Sequence, residues 1–236
     1  MNKILSKLGY TIYKNSFHER KYKLKSEFHP LNDLLYKYLH KDFFFVQIGA
    51  NDGIIYDQIF PFVTAENVKG IALEPIQDIY KILVKNYEKY PNVKLINKGI
   101  HISEKIMPIY RVNQSLEKYP EWTKGTSSFN KSHHELSGIL EEDIISEMVT
   151  CLTFDELSET ENILNIDLLQ IDTEGYDFEI INSINFDKIK PKLINFEHGL
   201  GSGIMSFEEF NNIHQILYRH EYKIITLEND TIAYLD

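Results

Sequence analysis

Residues 43–53 read FFFVQIGANDG, and Glu74 follows 21 residues after Gly53, at the end of a second apolar run in GIALEP. An apolar run that breaks into a small-residue turn, then a second run that ends on a carboxylate, is the order needed at the first turn of a parallel α/β sheet that binds a nucleotide-type ligand. The first run delivers the chain to the carboxyl edge of the sheet. Gly49 and Gly53 are expected to adopt positive φ and let the backbone approach a ligand closely. An acid ending the next strand can accept both hydroxyls of a ribose.

The turn itself narrows the ligand. A dinucleotide fingerprint, G-x-G-x-x-G, seats a pyrophosphate on bare backbone. Here the turn is Gly49-Ala50-Asn51-Asp52-Gly53, which lacks the middle glycine and carries Asp52 where phosphates would lie. A cationic ligand without phosphate fits better. S-adenosylmethionine has an adenosine, a sulfonium and an ammonium-bearing tail, and is the expected cofactor, with NAD or an empty structural turn as the alternatives. The cofactor-binding candidates are Gln47, Gly49, Ala50, Asn51, Asp52, Gly53, Glu74, Pro75 and, from a later strand end, Asp172.

The chain of 236 residues suits one α/β domain with some decoration. Cys151 is the only cysteine, so no internal disulfide forms, and a reducing, cytoplasmic location is expected. No Cys/His cluster has metal-ligand spacing. The longest apolar run, FFFV, is far short of a membrane span, and the N-terminus lacks the apolar centre of a signal peptide. Net charge is −10 but uneven: residues 1–41 hold nine Lys/Arg against three Asp/Glu, and the remainder balances to −16. The acidic body argues against nucleic acid as a partner. The basic segment, with apolar positions Ile4, Leu5, Leu8 and Ile12 on one helical face, has a second face for an anionic membrane surface or a lipid-linked acceptor through residues 1–27. The rival reading is a solvated or self-docked helix.

Periodicity divides the chain into a basic helical N-terminal extension over 1–41 and a main domain over 42–236. Helical spacing covers 2–14 and 30–40, with a charged loop over 18–27 between them. Strands are expected at 43–48, 69–74 and 93–98, with helices at 56–66 and 77–89. This β-α-β-α-β run reads as a parallel sheet. The stretch 102–150, with Pro108, Pro120, Trp122, Gly125-Thr126-Ser127-Ser128 and the pair His133-His134, breaks the rhythm and reads as a substrate-side insertion. The pattern resumes with a capping box at Thr153 and Glu156, a strand at 167–172, a helix at 177–184 and a strand at 192–197. Ser206 and Glu209 cap a long helix reaching about His220, and strands at 222–227 and 231–235 form a terminal hairpin. The expected fold is α/β, a Rossmann-like seven-stranded sheet whose last strand inserts antiparallel, with an insertion between its third and fourth strands.

A second set of ionisable groups falls on the same edge. The strand at 167–172 runs into Asp172-Thr173-Glu174-Gly175-Tyr176-Asp177, and the strand at 192–197 into Glu197-His198. Asp172, Glu174, Glu197 and His198 are therefore expected to converge there, and Asp177 to do no more than cap the next helix.

VQIGANDG, ALEP, GTSS, LLQIDTEGYDFEII and INFEH, in that order and spacing over residues 43–198, resemble the FkbM-type methyltransferases, most specifically in the run Ile171 to Ile180. Asp52 stands where many relatives are apolar, and Thr173 where valine is common. The resemblance implies a class I methyltransferase fold, S-adenosylmethionine as donor and O-methylation, with acceptors that are often sugar hydroxyls of glycans or glycolipids, or natural products. Such a hydroxyl must lose its proton as it attacks, so a base within hydrogen-bond reach is expected. His198 is the first candidate by intrinsic basicity, with Glu174 and Glu197 as rivals and His133 and His134 behind them. A divalent cation on the three carboxylates is the alternative to metal-free base catalysis. Different classes of answer are a non-catalytic module that binds S-adenosylmethionine or a glycan, and an NAD-dependent sugar oxidoreductase.

Overall fold

The structure is a computed structural model that describes residues 29–236; the expected helix over 2–14 and the charged loop over 18–27 lie outside the described residues. The first described helix, α1, is Pro30–Tyr38. Pro30 sits in its first turn, where its missing N–H costs nothing, and His29 Nδ1 accepts the Leu31 N–H at 3.3 Å. Its buried stripe Leu31, Leu34 and Leu35 shares one core with Phe43 and Phe45. The helix therefore packs as part of the main domain, across the boundary expected at residue 41.

Alternation follows as the periodicity predicts. Strand β1 is Phe44–Ile48, α2 Phe60–Glu66, β2 Lys69–Leu73, α3 Gln77–Asn86 and β3 Val93–Ile96. Helix α2 begins four residues later than its periodicity suggests. Asp57 Oδ1 accepts the N–H groups of Ile59 (2.8 Å) and Phe60 (2.9 Å), and Pro61 suits only a first turn, so the chain turns helical there. Asn67 ends it in the left-handed conformation at φ 50°.

The insertion is more regular than expected. Strands β4 (Gly99–Ile100), β5 (Ile106–Val112), β6 (Ser127–Ser128) and β7 (Ile144–Leu152) form a separate sheet in the order β4-β7-β5-β6. Strands β5 and β7 pair antiparallel from Ile106↔Thr150 to Val112↔Ile144. Ile109, Val149 and Cys151 pack with Ile76 into a small core of their own.

After β7 come α4 (Phe154–Thr160), β8 (Leu168–Ile171), α5 (Asp177–Ser183), β9 (Leu193–Glu197), α6 (Phe207–Arg219), β10 (Lys223–Thr226) and β11 (Asp230–Tyr234). Both expected capping boxes form, at Thr153/Glu156 and Ser206/Glu209. The main sheet runs β10-β11-β9-β8-β1-β2-β3. Strands β1, β2, β3, β8 and β9 are parallel, and β11 inserts antiparallel between β9 and β10. This is the class I methyltransferase fold. Strand order reverses at β1, with β2 on one side and β8 on the other, and a ligand crevice opens outside the carboxyl ends at such a point.

Asp167, buried at the opposite edge, ties α1 to the sheet. Its carboxylate accepts the Phe44 N–H at 2.9 Å and meets His40 Nε2 at 3.0 Å and Lys192 Nζ at 2.7 Å. Burial raises its pKa, but Lys192, the Phe44 N–H and His40 outweigh that and hold it below the usual carboxylate range. A depressed carboxyl contributes stability above the ordinary carboxylate range and loses it as pH falls through the folded value. Asp167→Asn is therefore expected to lower stability at pH 7 by about 1–3 kcal/mol, less than for a wholly buried pair because Lys192 and His40 are exposed. Thermal melts across pH 3–7 should show a flatter acid side in the variant.

Candidate active site

The β1 turn is built against its neighbours. Gly49 has φ 81°, and its N–H and that of Ala50 donate to Leu73 O at 3.1 and 2.8 Å. A side chain at Gly49 would put Cβ 1.8 Å from the Asp172 carbonyl oxygen. Asn51, left-handed at φ 49°, gives its N–H to Glu74 Oε2 at 3.0 Å. Asp52 Oδ1 accepts the N–H groups of Ile54 (2.9 Å) and Ile55 (2.8 Å), so one carboxylate oxygen is used in its own turn. A Cβ at Gly53 would meet Tyr87 Cε2 at 2.5 Å and Leu83 Cδ1 at 2.6 Å. The second glycine thus makes room for α3, not for close approach of a ligand.

Glu74 ends β2 and is only 4% exposed. Its Oε1 accepts the Ile76 N–H at 2.8 Å. Burial pushes its carboxyl up to about 7, against the lowering effect of the Ile76 and Asn51 N–H groups. Asn97 Nδ2 donates to the carbonyls of Glu74 (2.8 Å) and Pro75 (3.0 Å), fixing the bend out of the strand.

The ends of β8 and β9 are joined by Asp177. Its carboxylate accepts the Thr173 N–H (3.0 Å), the Thr173 hydroxyl and the Glu197 N–H (3.0 Å). Burial raises it to about 6 despite those donors. Asp177 is therefore not the expected helix cap: Tyr176 is at the N-cap with no side-chain cap bond, and the Asp177 carboxylate instead holds the two strand ends together. Asp172 is exposed, just past the end of β8. Desolvation by the surrounding protein, then repulsion from Glu174, Asp177, Asp230 and Asp57, raises its carboxyl pKa. Glu197 is raised as well, first by burial and then by Asp172, Glu174 and Asp177, and its buried Oε2 has no hydrogen-bond partner among the described residues.

The histidines sort differently from their order in the sequence reading. His198 is 1% exposed, with its ring 4.9 Å from that of Phe210 on α6 and Nδ1 accepting the Leu200 N–H at 3.2 Å. It lies in the packing under α6. His133, from the 3₁₀ helix Lys131–Ser137 of the insertion, places Nε2 3.1 Å from Glu174 Oε2. His134 turns the other way, with Nε2 3.0 Å from Tyr110 O. Glu174 itself is left-handed at φ 53°, and its carbonyl accepts the Ser128 hydroxyl at 2.7 Å.

A row of amides crosses the sheet beneath the cleft. Gln47, Gln170 and Asn195 stand in register on β1, β8 and β9. Gln47 Nε2 donates to Asp57 Oδ2 at 3.0 Å, and Asn195 Nδ2 to Gln170 Oε1 at 2.9 Å. Of these, only Gln47 is a cofactor-binding candidate from the sequence. Among the described residues no group of three or more His, Cys, Asp or Glu is arranged to hold a metal ion.

The family model described as methyltransferase FkbM domain matches residues 47–224. Solved structures similar to this chain include precorrin-6y C5,15-methyltransferase from Geobacter metallireducens GS-15, at 13% identity and TM-score 0.44, covering 87% of this chain and 87% of that one. A methyltransferase from Pyrococcus furiosus is similar at 12% identity and TM-score 0.41, covering 91% of this chain and 90% of that one. No curated protein matches significantly.

Proposed function

The chain belongs to the FkbM methyltransferase family, whose methyl donor is S-adenosylmethionine, and from that premise we propose that it is an O-methyltransferase for a sugar hydroxyl of a glycan, glycolipid or related natural product. The observation that carries the chemistry is the Glu174–His133 pair, at 3.1 Å, on the carboxyl edge of β8.

The residues of the edge fit the donor. Asp172 is raised in part by repulsion from Glu174 and Asp177, and Glu197 by repulsion from Asp172 and Glu174, and a ligand with cationic groups relieves that repulsion. Bound there, S-adenosylmethionine supplies an electrophilic methyl group on a sulfonium. Glu74 would hold the ribose: each of its oxygens accepts one backbone N–H and keeps a lone pair for a hydroxyl. The Gly49–Gly53 turn and Asp172 would face the amino acid tail. On the acceptor side, the Glu174–His133 pair receives the hydroxyl proton, with Glu174 as the more exposed member, and Asp177 keeps the β8 loop in place against β9. His198, buried after β9 beneath α6, has a packing role in this scheme.

The first test is binding. S-adenosylhomocysteine is expected to raise the melting temperature where NAD and NADP do not, and labelled methyl groups should pass to a member of a glycan panel. Glu74→Ala removes two charge-supported hydrogen bonds of roughly 1.5–3 kcal/mol each, so S-adenosylhomocysteine should bind well over tenfold more weakly. Near wild-type affinity in calorimetry would take Glu74 out of the site.

A further inference from the structure

The insertion touches both sides of the cleft within four residues. Gly125 O accepts Asn51 Nδ2 at 2.7 Å, on the donor turn. Ser128 Oγ donates to Glu174 O at 2.7 Å, on the β8 loop. Between these two points the segment Gly125-Thr126-Ser127-Ser128 bridges from β1 to β8. The approach is close: a Cβ at Gly125 would lie 3.3 Å from Asn51 Nδ2. The far end is anchored. Ser128 is 1% exposed and its hydroxyl also accepts the Asn130 N–H at 3.1 Å, while Phe129 packs edge-on against Tyr176 (5.3 Å) and His101 (5.9 Å).

The near end is tied to the donor turn by one side-chain bond, while Gly125 N–H donates to Trp122 O at 3.1 Å and Thr126 Oγ1 to Thr123 O at 2.9 Å. Asn51 lies against the carboxylate assigned to the ribose: its backbone N–H donates to Glu74 Oε2 at 3.0 Å, and Glu74 is only 4% exposed. Its Oδ1 accepts the Asp52 N–H at 2.7 Å and its Nδ2 reaches out to Gly125.

We propose that Gly125–Ser128 is the outer wall of the donor site, a strap latched by Asn51 that lifts to admit S-adenosylmethionine and to release S-adenosylhomocysteine. The proposal rests on the donor lying between the Gly49–Gly53 turn and Glu74. The strap's anchored end also holds the Glu174 carbonyl, so one segment spans from the donor turn to the Glu174 loop.

The test uses S-adenosylhomocysteine and the full chain, with association and dissociation rates followed by stopped-flow fluorescence. Asn51→Gly keeps the positive φ and removes the latch. Asn51→Asp keeps the oxygen that serves the turn and removes the donor to Gly125. Loss of one hydrogen bond should raise both rates roughly fivefold in each variant, with a smaller change in their ratio. In the wild type, the ligand should slow amide hydrogen exchange across residues 123–130 at least tenfold. Dissociation within twofold of wild type in both variants, or exchange in that segment indifferent to ligand, overturns the strap while leaving the donor site standing. A wild-type chain that does not bind S-adenosylhomocysteine removes the donor site and the strap together.

Discussion

Gly49→Ala is expected to abolish donor binding and to cost the fold about 2–5 kcal/mol. The position has φ 81°, and the new Cβ would lie 1.8 Å from the Asp172 carbonyl oxygen and 2.9 Å from its carbon. Neither neighbour is a flexible side-chain end. The Asp172 N–H is itself bonded to Ile48 O at 3.0 Å, which locks the two strand ends at this crossing. Left-handed backbone at a residue with Cβ costs roughly 1–2 kcal/mol, and overpacking of a close-packed site typically a further 1–3. Against a total stability of about 5–15 kcal/mol, the melting temperature should fall by about 10 °C. Calorimetry with S-adenosylhomocysteine should detect no binding, because relief of the clash pushes the β1 turn and Asp172 apart. A variant that melts and binds like the wild type would show that the crossing does not need bare backbone. Gly53→Ala is the informative contrast: its obstacles are the Tyr87 ring and the Leu83 methyl, which can shift, so donor binding should suffer less than at Gly49.

The main sheet was legible because each strand is an apolar run closed by a turn or an acid. VQIGANDG, ALEP and LLQID each carry that stop, and the terminal hairpin is marked by its polar turn. The insertion strands were not. In β5 and β7 only one face is buried, Pro108 interrupts the first, and Ser146 and Glu147 interrupt the second, so no apolar run rises above the background. The amide row was readable in principle. Gln47, Gln170 and Asn195 are the polar residues inside three otherwise apolar strands, and parallel register brings them side by side. His198 shows what residue type alone misses. Successive strand residues face opposite sides of a sheet. Ile194 and Phe196 belong to the core cluster that contains Ile213 and Leu217 of α6, and His198 continues that parity, while Glu197 takes the other side. His133 carries no such signal, because its place depends on a 3₁₀ helix and on Ser128 anchoring the insertion.

That placement leads to the largest expected effect on turnover. A sugar hydroxyl is a poor nucleophile until its proton leaves, and the Glu174–His133 pair is the arrangement on this edge that can take the proton and share the resulting charge. With the donor bound, an attacking acceptor hydroxyl would give its proton to the pair, and the donor would supply the methyl group. Glu174→Gln and His133→Ala should each lower turnover by about 10²–10⁴ while leaving S-adenosylhomocysteine affinity intact. Since the two residues act as a unit, the double variant should fall little below the worse single one. Added imidazole should restore part of the rate to His133→Ala and none to Glu174→Gln. His198→Ala, by contrast, opens a cavity under α6, so it should lower the melting temperature and leave turnover per folded molecule near wild type. If Glu174→Gln keeps turnover within threefold on the acceptor found in the glycan panel, the pair is not the base. If His198→Ala loses turnover without losing stability, the base lies on β9 and the insertion only covers the site.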